Sequence, residues 1–136
     1  MTALRSREKQ TLLLLIVGLL SWLVPGAGHF LLKEKERAII IFVTIVLTFC
    51  VGIYIGSIGV INLYGSTPWY VVGSQVMNSP MVLMLGRMTS DNAYPVYGWP
   101  NEIGQIYTST AGLLNLLCIV NAVYLAYLRG IGPARG

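Results

Sequence analysis

Long runs without a charged residue constrain the fold of this chain more than any other feature of its sequence. Residues 11–32, 38–63 and 106–128 contain no Asp, Glu, Lys or Arg. An apolar helix of about 20 residues crosses the roughly 30 Å hydrocarbon core of a bilayer. Charged residues make up 10% of the chain, against about 25% in a soluble domain. The sequence therefore predicts an all-α integral membrane protein with about three transmembrane helices, in a single domain over residues 1–136.

The first run is broken by Pro25, Gly26 and Gly28. Proline removes a backbone donor and clashes with the preceding turn, and the adjacent glycines permit a change of direction. The uninterrupted part, residues 11–24, is about 21 Å long as a helix, which is short for a membrane span. Residues 11–32 therefore form either a kinked span or a re-entrant helix that returns to the side from which it entered.

The distribution of Lys and Arg, which concentrate on the cytoplasmic side of membranes, bears on these two alternatives. If residues 11–32 cross fully, five of the nine Lys and Arg residues lie on one side and four on the other. If the segment is re-entrant, eight share one side and Arg87 lies on the other. In both arrangements residues 33–37 and the C-terminus are cytoplasmic. The N-terminal segment also resembles a signal peptide, but the helix break is a poor cleavage site, so we expect the segment to be retained.

Residues 64–105 have a different composition, with many Gly, Pro, Ser, Asn and Asp residues that are typical of turns. Residues 69–79 are expected to form an interfacial helix within this loop. Aromatic residues that favour the lipid headgroup level gather in and just after the loop: Tyr64, Trp69, Tyr70, Tyr94, Tyr97, Trp99 and Tyr107. The loop is therefore expected to face the exterior or a lumen, and residues 106–128 form the closing span.

Residues that could carry catalysis are few. His29 is the only histidine, so the chain cannot build a metal site from paired histidines. Asp91 and Glu102 are the acids outside the terminal and 33–37 clusters, and we interpret them as solvated loop residues. No ionisable residue lies at the centre of a run, where a proton or ion pathway would place one. We therefore expect no catalytic residues, no metal and no nucleic-acid partner, since a basic stripe with interleaved aromatic residues is missing.

His29 follows the helix break and admits two interpretations. As a structural residue, it would bond to carbonyl groups that the break leaves free. As a cofactor ligand, it would bind the metal of a haem or a chlorophyll-type pigment. Cys50 and Cys118 lie singly within apolar runs and are expected to be free thiols.

Small residues indicate two helix-packing faces. Gly52 and Gly56 have the Gly-x-x-x-Gly spacing, and Gly59 lies one turn beyond. In the last run, small and polar residues fall on one face at helical spacing: Gly112, Asn115, Ala122 and Ala126. Asn121 lies about 120° from Asn115 around the same helix. Because an unbonded amide in lipid is costly, both faces are expected to meet protein, which favours a partner subunit or self-association.

The chain resembles known families around the helix break. Residues 21–33 read Ser-Trp-Leu-Val-Pro-Gly-Ala-Gly-His-Phe-Leu-Leu-Lys, and residues 37–42 read Arg-Ala-Ile-Ile-Ile-Phe. This stretch resembles the Pro-Gly-x-Gly-x-Phe/Tyr signature of the two-transmembrane (TM-two) domain class and, more closely, an uncharacterised bacterial family of small membrane proteins. The resemblance covers residues 11–63 and 102–128 and implies no assigned biochemistry. Where such proteins often have Tyr-Leu-Gly, this chain has Leu-Leu-Lys, so a glycine turn is missing.

From these observations we expect a non-enzymatic accessory or scaffold subunit of a larger complex in the bacterial cytoplasmic membrane, such as a respiratory or photosynthetic complex. Its partners would be membrane lipids and either other membrane subunits or a second copy of the chain, and no cofactor is expected for that role. The alternative hypothesis is a pigment-, haem- or lipid-binding module that uses His29 and the aromatic cluster and carries a porphyrin-type pigment.

Overall fold

The computed structural model describes residues 2–63, 65, 67–91 and 98–131. These residues form six α-helices and no strand, which confirms the all-helical prediction for this part of the chain. The helices are α1 (Thr2–Leu23), α2 (Ala27–Leu31), α3 (Lys35–Gly56), α4 (Trp69–Val76), α5 (Met81–Asp91) and α6 (Trp99–Ile131), with a short 3-10 turn, Ile58–Val60, after α3. By length and composition, α3 and α6 are the described helices that could cross a membrane.

The long helices α3 and α6 pack against each other in antiparallel orientation. Near the end of α3, Gly56 lies against Gly104, close to the start of α6. At the opposite end, Arg129 of α6 forms a 2.8 Å ion pair with Glu34, which immediately precedes α3. The two ends of this pair are named the basic end, with residues 33–37 and Arg129, and the aromatic end, with Tyr54, Trp69, Tyr70 and Trp99.

Helices α1 and α2 form a hairpin that reaches about half the length of α6. Gln10 of α1 donates to the carbonyl oxygen of Tyr127 at 3.4 Å, near the basic end. The chain reverses after α1 at Gly26, whose φ is 85°. The segment returns to the basic end, where Arg129 donates to the carbonyl oxygen of Leu32. Both ends of the broken N-terminal run thus lie at the same end of the bundle, as in the re-entrant alternative.

Helices α4 and α5 form a second hairpin, which starts and finishes toward the aromatic end. The sequence predicts one helix over residues 69–79, whereas α4 ends at Val76 and a further helix, α5, follows. Pro80 cannot continue the hydrogen-bond ladder of α4, so the chain turns there. Thr89 of α5 then donates to the carbonyl oxygen of Ile61 at 2.6 Å, which fixes α5 beside the 3-10 turn.

The tips of the two hairpins meet beside the middle of α6. The indole Nε1 of Trp22 donates to the carbonyl oxygen of Val76 at 3.1 Å. The hydroxyl of Ser79 donates to the carbonyl oxygen of Leu23 at 3.2 Å. Because α1 and α4 both end here, these bonds satisfy carbonyl groups that no N–H within either helix reaches.

Several predicted boundaries differ from the structure, and α1 already begins at Thr2, before the predicted residue 11. α3 ends at Gly56 instead of continuing to residue 63, because Ser57 adopts a φ of 61° and the chain folds back so that Val60 packs against α3. α6 begins at Trp99, before the predicted residue 106, with Pro100 in its first turn, where proline is compatible with a helix start. The remaining predicted span, residues 11–32, is divided between α1 and α2, so the described residues contain two candidate membrane spans instead of three.

Candidate functional site

His29, on α2, is almost completely enclosed, with 1% of its surface exposed. Its Nε2 atom lies 3.2 Å from Nδ2 of Asn121, within hydrogen-bond distance. Its Nδ1 atom is buried and has no partner among the described residues. The contact joins α2 to α6 and brings together two residues that the sequence analysis assigned to separate features.

The helix break brings α2 close to three other helices. Gly26 has the positive φ that glycine adopts most easily, and a Cβ atom there would lie 2.6 Å from a backbone oxygen of α3. At Gly28, a Cβ atom would overlap Ser21 of α1 and lie 2.9 Å from the Cβ atom of Ala122 on α6. The predicted break residues therefore act together: Pro25 follows the end of α1, and the glycines let α2 fold back tightly.

Gly52 and Gly56 pack against α6 of the same chain. At Gly52 a Cβ atom would lie 2.8 Å from Cγ2 of Thr108, and at Gly56 it would lie 3.0 Å from Cα of Gly104. Gly104 and Thr108 were not among the predicted packing residues, although they repeat the small-x-x-x-small spacing. Gly59 lies in the 3-10 turn, beyond the end of α3. The glycine spacing is therefore used within the chain and does not by itself require a second protein.

Asn115 is completely buried between α6 and α4. Its Nδ2 atom donates to the carbonyl oxygens of Met77 at 3.0 Å and Asn78 at 2.8 Å, at the C-terminal end of α4. Gly112, one turn earlier, allows the approach, because a Cβ atom there would overlap the carbonyl oxygen of Ser74. The chain itself thus supplies hydrogen-bond partners for this amide.

Gln75 is a second fully buried amide and was not among the predicted site residues. Its Nε2 atom donates to Oγ1 of Thr108 at 2.8 Å and to the carbonyl oxygen of Val60 at 3.4 Å. Its Oε1 atom has no donor among the described residues, as is also true of the side-chain oxygens of Asn78 and Asn115. In the sequence, Gln75 is a single amide within an apolar helix. An interfacial helix would expose that amide to water, so the sequence did not indicate its burial.

Replacing Asn115 with leucine tests the contact between α6 and α4. Removal of both bonds should destabilise the protein modestly, by about 0.6 kcal/mol and at most about 1.7 kcal/mol, the range for hydrogen bonds between membrane helices. Thermal unfolding in detergent, followed by tryptophan fluorescence, measures the change. Thr48→Val is the control, because its hydroxyl bonds only to the carbonyl oxygen of Thr44 in its own helix. If Asn115→Leu were as stable as this control, the Asn115 amide would not contribute to the contact between α6 and α4.

Basic and aromatic side chains separate to opposite ends of the bundle. Six of the seven Lys and Arg side chains that the structure describes lie at the basic end: Arg7, Lys9, Lys33, Lys35, Arg37 and Arg129. The aromatic end carries exposed Tyr54, Trp69, Tyr70 and Trp99, with Tyr107 two turns into α6. The other aromatic residues of the predicted cluster, Tyr64, Tyr94 and Tyr97, lie outside the described residues.

The described part of the chain holds no group of three His, Cys, Asp or Glu side chains placed as metal ligands would be. Cys50 and Cys118 are free thiols, as predicted. Glu102 is exposed in the first turn of α6, and the side chain of Asp91 lies outside the described residues.

Comparison with protein-family models identifies a matching family. The model of DUF6677, a family of unknown function, matches residues 16–130. No curated protein and no solved structure shows a significant match. The expectation of a family without assigned biochemistry is thereby confirmed, and the likeness to the two-transmembrane domain class stays a prediction. Because the match spans most of the sequence, the chain belongs to the DUF6677 family.

Proposed function

We propose that α3 and α6 cross the bacterial cytoplasmic membrane with the basic end in the cytoplasm. Lys and Arg favour the cytoplasmic side, and Trp and Tyr favour the headgroup level. Lys35 and Tyr54 mark the two levels on α3, and the helix between them is about 28 Å long. This length supports the proposal because it is close to the roughly 30 Å thickness of a bilayer core.

In this arrangement the two hairpins enter the membrane from opposite sides and return without crossing it. Irregular backbone at membrane depth is tolerated where protein buries it. The bonds from Trp22 to Val76 and from Ser79 to Leu23 support the arrangement, because they satisfy backbone carbonyl groups at the two hairpin tips. The helix predicted to be interfacial, α4, then runs from the headgroup level toward the middle of the bundle.

We infer that the protein acts as a small accessory or scaffold subunit of a larger membrane complex, of which respiratory and photosynthetic assemblies are examples. The observation that carries this inference is Asn121, which contacts His29 but is exposed on the outer face of α6, near exposed Leu117 and Tyr124. Asn121 lies about 12 Å along the helix from Arg129. Lipid offers no hydrogen-bond partner at that depth, whereas a helix of a neighbouring subunit does.

The interior of the bundle supports a structural role more than a catalytic one. Its buried amides, Gln75 and Asn115, donate to backbone carbonyls and to Thr108 within the chain. Such contacts hold helices in place, and their atoms do not face an open cleft where a substrate would react. We therefore propose a non-enzymatic protein.

The alternative, a pigment or haem bound through His29, has less support. An axial ligand must present a ring nitrogen to a space that holds a porphyrin. The side chain of His29 is enclosed, with its Nε2 beside Asn121. A visible absorption band of the purified protein that disappears in His29→Leu would favour this alternative over the subunit proposal.

Purification of the tagged protein from its native membrane in mild detergent, followed by mass spectrometry, tests the subunit proposal. We expect a second membrane protein to co-purify at fixed stoichiometry. Asn121→Leu should reduce its recovery about threefold, and at most about twentyfold, which corresponds to one intramembrane hydrogen bond of about 0.6 to 1.7 kcal/mol.

Thr110→Val is the matched control for Asn121→Leu. Thr110 is also exposed on α6, but its hydroxyl already donates to the carbonyl oxygen of Ile106 at 2.7 Å and needs no partner. The control should retain the co-purifying protein. A wild-type protein that purifies alone, or equal recovery with both variants, would contradict the role assigned to Asn121.

A further inference from the structure

The turn between α2 and α3 forms a hollow of about 480 Å³ at the basic end, lined by residues 33–37. Lys33 adopts a φ of 63° in this turn, in the left-handed region that residues other than glycine adopt rarely. Lys33, Lys35 and Arg37 are exposed. A lysine at this turn therefore adds a positive charge to the rim of the hollow.

The charges of the hollow are only partly neutralised. Glu34 pairs with Arg129 at 2.8 Å and with Arg37 at 3.2 Å, so its carboxylate is already shared by two guanidinium groups. Glu36 also lines the hollow. No carboxylate among the described residues lies within ion-pair distance of Lys33 or Lys35. The hollow therefore presents two lysine ammonium groups to an anion.

An apolar groove of about 290 Å³ lies on the same α2–α3 unit, deeper in the bundle. It is lined by Val24, Pro25, Gly26, Ala27, Phe30, Ala38, Ile39 and Phe42. Lys35 and Ile39 are four residues apart on α3, so they share one face of the helix. From Lys35 to Phe42 the groove descends about 10 Å, which lies within one leaflet of a bilayer whose core is roughly 30 Å thick.

We propose that this unit binds one anionic phospholipid of the cytoplasmic leaflet, with its phosphate at Lys33 and Lys35 and an acyl chain in the groove along Ile39 and Phe42. The proposal rests on the membrane orientation proposed above. It requires both halves of the site, because a positive hollow alone would take any anion and an apolar groove alone would take any lipid. The order of the two halves, charge outside and groove inside, matches a phospholipid standing in that leaflet.

The test uses the full-length protein purified in a neutral detergent. Native mass spectrometry and the unfolding temperature are measured with phosphatidylglycerol, with phosphatidylcholine and with inorganic phosphate. We expect one retained phosphatidylglycerol per chain and a saturable rise in unfolding temperature. Phosphatidylcholine and inorganic phosphate should give neither effect, because the first lacks net charge and the second lacks an acyl chain.

Paired variants separate the site from general attraction to a basic surface. Lys35→Gln should weaken phosphatidylglycerol binding about fivefold, the factor that corresponds to about 1 kcal/mol for a basic residue near a membrane surface. Lys9→Gln removes the same charge from the basic end outside the hollow and should have little effect. Ile39→Trp should block the groove, whereas Ile40→Trp changes the next exposed residue, which does not line it.

Three results would overturn the proposal: equal binding of the two lipids, equal loss in Lys9→Gln and Lys35→Gln, or equal binding in Ile39→Trp and Ile40→Trp. None of these results depends on a co-purifying protein. Cysteine labelling decides the membrane orientation and co-purification decides the subunit proposal, so failure of the lipid site is distinguishable from failure of either.

Discussion

Gly112→Ala is expected to separate α4 from α6 and to destabilise the protein strongly. The added Cβ atom would overlap the carbonyl oxygen of Ser74, and a backbone atom cannot move aside without moving its helix. Overpacking of this kind costs about 1–3 kcal/mol and occasionally more. We expect the upper part of that range, because the same movement breaks the bonds from Asn115 to the end of α4. Thermal unfolding in detergent, followed by tryptophan fluorescence, measures the loss.

Gly73→Ala is the matched control, since Gly73 lies in α4, the helix that Gly112 of α6 contacts. No atom lies within 4 Å of a Cβ atom built at Gly73. Alanine should therefore leave stability unchanged or raise it, by up to about 1 kcal/mol, because alanine favours a helix interior more than glycine does. If Gly112→Ala were as stable as Gly73→Ala, the close approach of α4 to α6 would be wrong.

The Gly-x-x-x-Gly pair of α3 packs within the chain, so larger residues there are expected to act first on the single chain. The spacing of Gly52 and Gly56 predicts that leucine at either position weakens assembly with another protein while membrane insertion continues. In the structure these glycines face Thr108 and Gly104 of their own chain. Leucine there should therefore first separate α3 from α6 within the single chain, and any loss of assembly would follow from that change.

Cysteine labelling is expected to place the N-terminal tail and the α2–α3 turn on the same side of the membrane. In a Cys50→Ala and Cys118→Ala background, single cysteines replace Arg7, Lys35 or Glu102. We expect a membrane-impermeant maleimide added to intact cells to label Glu102→Cys fully and to leave Arg7→Cys and Lys35→Cys unlabelled. The reason is that the α1–α2 hairpin returns to the basic end, where Arg129 meets the chain just before α3.

Permeabilised cells provide the control for this experiment, because all three cysteines should then react. Labelling of Arg7→Cys but not of Lys35→Cys in intact cells would show that the first segment crosses the membrane completely. Labelling of Lys35→Cys from outside would reverse the proposed orientation. Two further residues for such a scan, Asn92 and Arg135, lie outside the described residues.

The sequence alone predicted the helical class, the two long helices and the position of the first break. These features are local. Hydropathy over about 20 residues decides whether a segment can lie in lipid, and Pro25 followed by Gly26 interrupts a helix whatever surrounds it. The helix at the start of residues 69–79 was also predicted. Its short length and the second break at Pro80 were not, because the apolar composition continues across both.

Only the tertiary structure decided how the segments combine. An uncharged run of 22 residues with a central break can cross or return, and the difference depends on distant contacts, such as that between Arg129 and Leu32. The spacing of Gly52 and Gly56 indicates close packing but not the helix that uses it, and the isolated amides Asn115 and Asn121 require hydrogen bonds but do not name the donors or acceptors. Local composition determines which segments lipid accepts, whereas the partner of each face depends on shape and hydrogen bonding between residues far apart in the chain.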